Sequence, residues 1–268
     1  MERYFKLVER DNPEFGMFCV EMHNGRFPDE ETAVKDAIRR LVLICHGTYA
    51  EALENHLERV YDDCPELEKE LVTRASPAEW KVLFARDKQG RPIAFRGFLG
   101  ECLAFWVAKG LRKYPFVSSV RLGGNDPAFD LIALERDGRG YLLRFIQAKG
   151  TDVNYKTNAR VAAEKLGKLD AGRYQARVTN VLYYVALEAR QQNLDVDIEA
   201  LRSLQLQRDR RRYTIFVVHE PELSGPILTK FKDHISGSKE RREAIFMRFR
   251  AIHAFLFEME ASIRARIS

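Results

Sequence analysis

The chain is poor in cysteine. It has four cysteines in 268 residues, no two of them form a C-x-x-C pair, and no histidine lies at a ligand-like spacing from one. A disulfide framework and a structural zinc site both need closely patterned cysteines. The pattern therefore predicts reduced and mostly buried thiols at Cys19, Cys45, Cys64 and Cys102.

Long apolar runs are also missing. No run approaches the roughly 18 consecutive apolar residues that a membrane-spanning helix needs. The first residues, MERYFKLVERDNPEF, lack the apolar segment of a secretory signal peptide. We therefore expect a cytoplasmic protein with no membrane partner.

Several catalytic motifs are absent. Gly123-Gly124-Asn125 is not followed by G-K-(S/T), so it is not a Walker A loop. There is no G-x-S-x-G sequence, and the six scattered histidines form no H-E-x-x-H sequence. Without a Walker A loop, we do not expect this chain to contain an ATP-dependent motor.

Neither sign of charge dominates. The chain has 44 Lys and Arg against 39 Asp and Glu, which gives a net charge of +5. This balance permits a nucleic-acid partner but does not identify one. Apolar residues make up 46% of the chain, enough for a sizeable core. The length predicts one large domain, or a core domain with an N-terminal extension.

The first third of the chain predicts a mixed but mainly helical extension. Residues 3–9 and 16–22 are expected to be short strands, either a hairpin at the edge of the main sheet or a small separate sheet. Helices are expected from Pro28 onward, over 50–61, over 66–73 and over 77–85. A loop at 87–92 is a plausible boundary. We therefore expect an α+β extension over 1–92 and a core over 93–268 that ends in a helix.

The stretch from Gly100 to Thr151 carries the strongest local signals. It predicts a helix that begins with Glu101 and a strand over Phe116–Leu122. A hairpin follows, Phe129–Leu134 and Tyr141–Ala148, turning at Asp137-Gly138. An Asp-Gly pair between two apolar runs is a strong hairpin signal.

The register of this hairpin decides which polar residues meet. With the turn centred on Asp137-Gly138, Asp130 lies opposite Phe145. Opposed residues and residues two apart share a sheet face, so Asp130, Gln147 and Lys149 come out on one face. Polar side chains among apolar strand neighbours are costly to bury without a purpose. A three-residue loop or a bulge at Gly140 would shift the parity and separate Asp130 from Gln147.

At these residues the chain resembles the PD-(D/E)xK nuclease superfamily, which has the restriction-endonuclease-like fold. Its pattern is an acid on the first core helix, an Asp at the start of the second strand and (E/Q)-x-K on the third. The matching positions are Glu101, Asp130 and Gln147-Ala148-Lys149. The literal Pro-Asp is absent, and Gln stands where Glu is commoner, as in Mrr-type members. The resemblance covers roughly residues 95 to 190.

The resemblance implies a fold, a cofactor and a reaction. The fold is α/β, a restriction-endonuclease-like core whose mixed central sheet is flanked by helices. Mg²⁺ or Mn²⁺ would be held by Glu101, Asp130, Gln147 and the backbone carbonyl of Ala148, while Lys149 would position or deprotonate the attacking water. The substrate would be DNA. The arrangement also looks like Hachiman-type nuclease subunits of bacterial anti-phage systems, which work with a helicase, so a helicase or another defence subunit is an expected partner.

Other interpretations stay open. The chain could be a nuclease-fold module that binds nucleic acid or a partner without cleaving, with the neutral Gln147 marking a weakened metal site. It could also be a structural subunit, or a homo-oligomer, that uses the long apolar helix expected over Lys239–Arg264. Asp126 competes with Asp130 for the metal-ligand role. The basic helix expected over Arg160–Leu169 either follows a phosphate backbone or is a solvated face.

Overall fold

The described residues build one seven-stranded sheet. A computed structural model describes residues 5–22, 30–47, 71, 77–88, 90, 92–120, 129–150, 154–249 and 252–267. The strands are β1 (Phe5–Arg10), β2 (Gly16–Met22), β3 (Phe116–Val117), β4 (Leu131–Asp137), β5 (Gly140–Gly150), β6 (Arg211–His219) and β7 (Arg242–Arg248). Their order across the sheet is β1-β2-β7-β6-β5-β4-β3.

Helices cover both faces of the sheet. They are α1 (Glu30–Gly47), α2 (Pro77–Leu83), α3 (Ile93–Gly110), α4 (Tyr155–Asp170), α5 (Gln175–Gln191), α6 (Ile198–Leu206), α7 (Phe231–His234) and α8 (Ile252–Ile267). One apolar layer joins α1, α2, α3 and α8 to one sheet face. A second joins α4 to α7 to the other face. None of these helices has the length and apolar character needed to cross a bilayer.

The sheet is mixed, as expected for the α/β class. Strands β2, β7, β6 and β5 pair in parallel, whereas β1–β2, β4–β5 and β3–β4 pair antiparallel. Parallel neighbours need crossover connections, and the helices between β5 and β6 and between β6 and β7 supply them on the face covered by the second layer. Because β4 runs opposite to β5, the start of β4 and the end of β5 meet at the same edge of the sheet.

The N-terminal hairpin belongs to the main sheet. Strands β1 and β2 form its outer edge, and β2 pairs in parallel with β7 from Gly16 to Val20. Helix α1 packs in the same apolar layer as α3. Of the two alternatives, the edge hairpin is confirmed, and a domain boundary near residue 92 stays a prediction. The helices expected over 50–61 and 66–73 lie outside the described residues, apart from Leu71.

The C-terminal helix begins later than the sequence predicts. The expected helix over Lys239–Arg264 is wrong in its first half, because Arg242–Arg248 forms β7 and α8 begins only at Ile252. Strand β7 lies between β2 and β6 and is buried on both faces. A buried strand of this kind is a continuous apolar run that periodicity alone does not separate from a helix. The expected strand over 116–122 is too long, because β3 ends at Val117 and residues 118–120 are not strand; residues 121 and 122 lie outside the described part.

Candidate functional site

The β4–β5 hairpin brings Asp130 beside Gln147. Leu131 pairs with Ile146 and Asp137 pairs with Gly140, so the turn residues are 138 and 139. The predicted register, with Asp130 opposite Phe145, is therefore wrong by two residues. A shift of two keeps the parity of every side chain. Asp130, Gln147 and Lys149 thus still belong to one face of the sheet.

A salt bridge at the turn explains the shift. The guanidinium of Arg210 donates hydrogen bonds to both carboxylate oxygens of Asp137, at 2.7 and 3.1 Å. Asp137 also accepts a hydrogen bond from the backbone N–H of Arg139. These bonds hold Asp137 as the last residue of β4. Gly140, at a φ of +114°, then begins β5 in a conformation that favours glycine.

Asp130 is fixed by the end of β5. Its Oδ2 accepts a hydrogen bond of 2.7 Å from the backbone N–H of Ala148 and another from Nε2 of Gln147. Its own backbone N–H donates to the carbonyl oxygen of Ile146 at 2.8 Å. Two hydrogen bonds therefore orient the carboxylate and a third fixes the backbone of Asp130, while the carboxylate in turn orients Gln147.

Gln147 carries a buried hydrogen-bond acceptor, Oε1, that meets no donor among the described residues. Only 1% of the residue is exposed, and its Oε1 has no hydrogen-bond partner among the described residues. A buried polar atom without a partner costs roughly 1–3 kcal/mol. Such an atom next to a carboxylate is the arrangement that a bound cation would satisfy.

Glu101 reaches the strand end because two glycines let α3 approach β5. A Cβ on Gly100 would lie 2.8 Å from the backbone nitrogen of Gly150, and a Cβ on Gly150 would overlap the carbonyl oxygen of Arg96. The close crossing places Glu101, the next residue of α3, near Lys149. The prediction that the helix begins with Glu101 is wrong, because α3 begins at Ile93 and has no acid in its first turn. Stabilisation by the helix dipole therefore does not explain this carboxyl group.

Burial shifts the protonation of both acids, and the charge of Asp130 adds to the shift at Glu101. Burial, together with the charge of Asp130, raises the pKa of Glu101 to about 8, and Lys149 partly opposes the shift. Burial also raises the pKa of Asp130, against the opposing effects of Lys149, the N–H of Ala148, Lys165 and Gln147. Two neighbouring carboxyl groups resist carrying two negative charges when no cation lies between them. A cation bound at these carboxyl groups would favour their charged forms.

The two lysines near these acids are half-buried. Burial lowers the pKa of Lys149, and Lys165 adds to that effect while Asp130 and Glu101 oppose it. Lys165 lies on α4, and the sequence places it only in a basic helix, not in the site. The order of the motif points to Lys149, but which way a helical lysine faces depends on how the helix packs. The position of Lys165 could therefore not be read from the motif.

The donor set suits a hard cation of modest affinity. The set consists of two carboxyl groups, the neutral amide oxygen of Gln147 and the backbone carbonyl oxygen at the end of β5. All are oxygen donors of the kind that Mg²⁺ and Mn²⁺ accept. No group of three or more His, Cys, Asp or Glu that could hold a metal occurs within the described ranges. Asp126, the competitor of Asp130, lies outside those ranges. The backbone carbonyl of Ala148 as a ligand stays a prediction.

Comparison of the chain with models of known protein families and with curated proteins gives no match.

Proposed function

We propose that the chain is a metal-dependent nuclease of the PD-(D/E)xK type, which hydrolyses phosphodiester bonds of DNA. The observation that carries the proposal is the buried Oε1 of Gln147, an acceptor without a partner beside Asp130. The site lies where the start of β4 and the end of β5 meet, and Glu101 approaches it from α3. A role in anti-phage defence, next to a helicase or another defence subunit, rests on the resemblance alone.

The residues present fit a divalent cation. Asp130, Glu101 and the Oε1 of Gln147 would hold it, and the cation would supply charge neutralisation at phosphorus and activate water for attack. Because Gln147 is neutral, the affinity is expected to be weaker than in a site with three carboxylates. The cation would also satisfy the amide oxygen and relieve the repulsion between Glu101 and Asp130.

Lys149 supplies the chain's own contribution to hydrolysis. Its ammonium group is half-buried next to both acids, and its pKa is lowered by burial. In the charged form it binds a non-bridging phosphate oxygen and stabilises the negative charge that builds there. In the neutral form it accepts a proton from the attacking water. Asp130 orients Gln147 and the end of β5 through hydrogen bonds to Nε2 and to the N–H of Ala148.

The proposal is tested by cleavage of supercoiled and linear DNA with Mg²⁺ or Mn²⁺. Asp130→Asn and Lys149→Ala are each expected to reduce the nicking rate at least about a hundredfold, the scale for loss of a positioned acid–base or charged group. Matched controls remove the same charges elsewhere: Asp233→Asn in α7 and Lys6→Ala in β1, both exposed. Cleavage that survives both site substitutions would disprove this site.

The alternative function is a module of the same fold that binds nucleic acid or a partner without cleaving it. The neutral amide of Gln147, at the position where a nuclease of this type more often has Glu, favours this alternative. Calorimetric titration with Mn²⁺ separates the two. A nuclease is expected to bind the ion with an affinity that Asp130→Asn lowers, whereas no heat of binding in the natural chain would favour the module. A homo-oligomer stays a prediction.

A further inference from the structure

Helix α4 presents a lysine to the candidate site. The helix packs against β5 and β6 in the second apolar layer. That layer covers the face of β5 to which Gln147 and Lys149 belong by parity. The buried side of α4 includes Ala162, Leu166 and Leu169, and Lys165 lies at the margin of that side, half-buried.

Within the part of the chain that the structure describes, no carboxylate pairs with the ammonium group of Lys165. Among the described residues it forms no hydrogen bond and no ion pair, and its charge acts on Asp130 and Lys149. Lys149 likewise forms no ion pair within the described ranges. Two half-buried lysines whose charges both act on Asp130 repel each other, and buried charges are normally paired. An anion that contacts both ammonium groups would remove this repulsion.

The surroundings of Lys165 favour a polyanion over a small anion. Between residues 154 and 191 there are seven Lys and Arg and three Asp and Glu. Two of the three acids, Asp170 and Glu188, are buried and hydrogen-bonded within the protein. The third, Glu164, lies 3.9 Å from Arg160. The exposed side of α4 and α5 therefore carries a net positive charge, and Lys165 of α4 is a residue of this pair whose charge acts on the site.

We propose that Lys165 is a second phosphate-binding residue beside Lys149, and that the phosphate backbone of a nucleic acid lies along α4. The inference rests on the proposed function of the site and deepens it. Because Gln147 brings no negative charge, the site holds its cation weakly, and Lys165 adds a fixed positive charge next to the phosphate. Phosphate contacts carry no sequence information, so the effect of Lys165 should be the same for every DNA sequence.

The test measures binding without cleavage. Fluorescence anisotropy of labelled duplex and single-stranded DNA, in EDTA and over a series of salt concentrations, is compared for the natural chain, Lys165→Ala and Lys165→Arg. We expect Lys165→Ala to weaken binding about tenfold at low salt and to lower the salt slope by about one, equally for unrelated sequences. Lys165→Arg should retain the slope.

The control is Lys6→Ala. Strand β1 is four strands away from β5, roughly 19 Å at about 4.8 Å per strand, so this exposed lysine is remote from the site. Its substitution should leave both affinity and slope unchanged. Equal thermal unfolding temperatures for all variants would establish that a smaller salt slope reflects the loss of a phosphate contact and not a loss of folded protein.

Three outcomes overturn the inference: Lys165→Ala that binds like the natural chain, Lys165→Arg that fails to restore the slope, or a natural chain that binds no DNA at low salt. Failure of the nuclease proposal looks different. In that case binding depends on Lys165, yet no divalent ion produces cleavage.

Discussion

Glu101 is an ionisable residue within a buried stretch of helix. It lies in the middle of α3, and every other residue from Leu99 to Ala108 is buried. Burial there favours the protonated form, which is why its pKa is about 8 instead of the ordinary 4.5. An acid at such a position lowers stability at neutral pH, and the cation binding that we propose would account for its presence.

The pKa of Glu101 gives a prediction with a definite sign. The folded chain binds this proton more tightly than the unfolded chain, so stability should fall as pH rises from about 4.5 to about 8. Glu101→Gln keeps the shape and removes the titration. The variant should therefore gain stability over the natural chain, and the gain should be larger at pH 8 than at pH 5. Urea unfolding across this range, without divalent ions, measures it.

The control for that experiment is Glu199→Gln, an exposed acid on α6. Its stability curve should run parallel to that of the natural chain. A Glu101→Gln curve that also runs parallel would show that Glu101 titrates normally.

At the scale of elements, the contact between α3 and β5 sets the geometry of the site. Gly100 packs against the backbone of Lys149 and Gly150, whereas Gly97, one turn earlier on the same helix, has nothing within 4 Å of an added Cβ. The two glycines thus separate the effect of close packing from the effect of helix propensity.

Substitution of these glycines should have opposite effects. Gly100→Ala should destabilise the protein by about 1–3 kcal/mol, since the added methyl must push backbone away, and it should also reduce nicking by displacing Glu101. Gly97→Ala should stabilise it by roughly 0.5–1 kcal/mol, the propensity difference within a helix. Denaturant unfolding measures both. Equal effects of the two substitutions would contradict the close crossing of α3 over β5.

The elements differ in how far the sequence could define them. The hairpin was predictable because Asp-Gly marks a turn, and the shared face of Asp130 and Lys149 survived a register error of two residues. The approach of Glu101 to the site was not predictable, because it depends on a contact between Gly100 and Gly150, which are 50 positions apart in the chain. Nor was β7, because its apolar residues merge with those of α8 into one run with spacings that also suit a helix.

At the scale of the whole molecule, β7 joins the N-terminal hairpin to the rest of the sheet. Phe246, which is 1% exposed, packs in the second layer beneath His219. Phe257 of α8, from the same stretch of sequence, is 46% exposed. The two phenylalanines therefore compare a core strand position with a surface helix position.

Phe246→Ala should destabilise the whole protein by about 3–5 kcal/mol, the usual loss for a buried phenylalanine. Phe257→Ala should change stability by less than about 1 kcal/mol, because little of its area is removed from water. Thermal unfolding followed by circular dichroism measures the difference. A small effect of Phe246→Ala would contradict a central β7.

The pairing of β2 with β7 also has a consequence for synthesis on the ribosome. Residue 22 ends β2, and residue 242 begins the strand it pairs with, 220 positions later. At roughly 5–20 residues per second, the nascent hairpin waits about 10–45 s for its partner. During that interval β2 exposes an unpaired edge, the kind of surface that other chains can join. The growing chain is thus most exposed to aggregation, and most dependent on chaperones, before Arg242–Arg248 emerges to form β7.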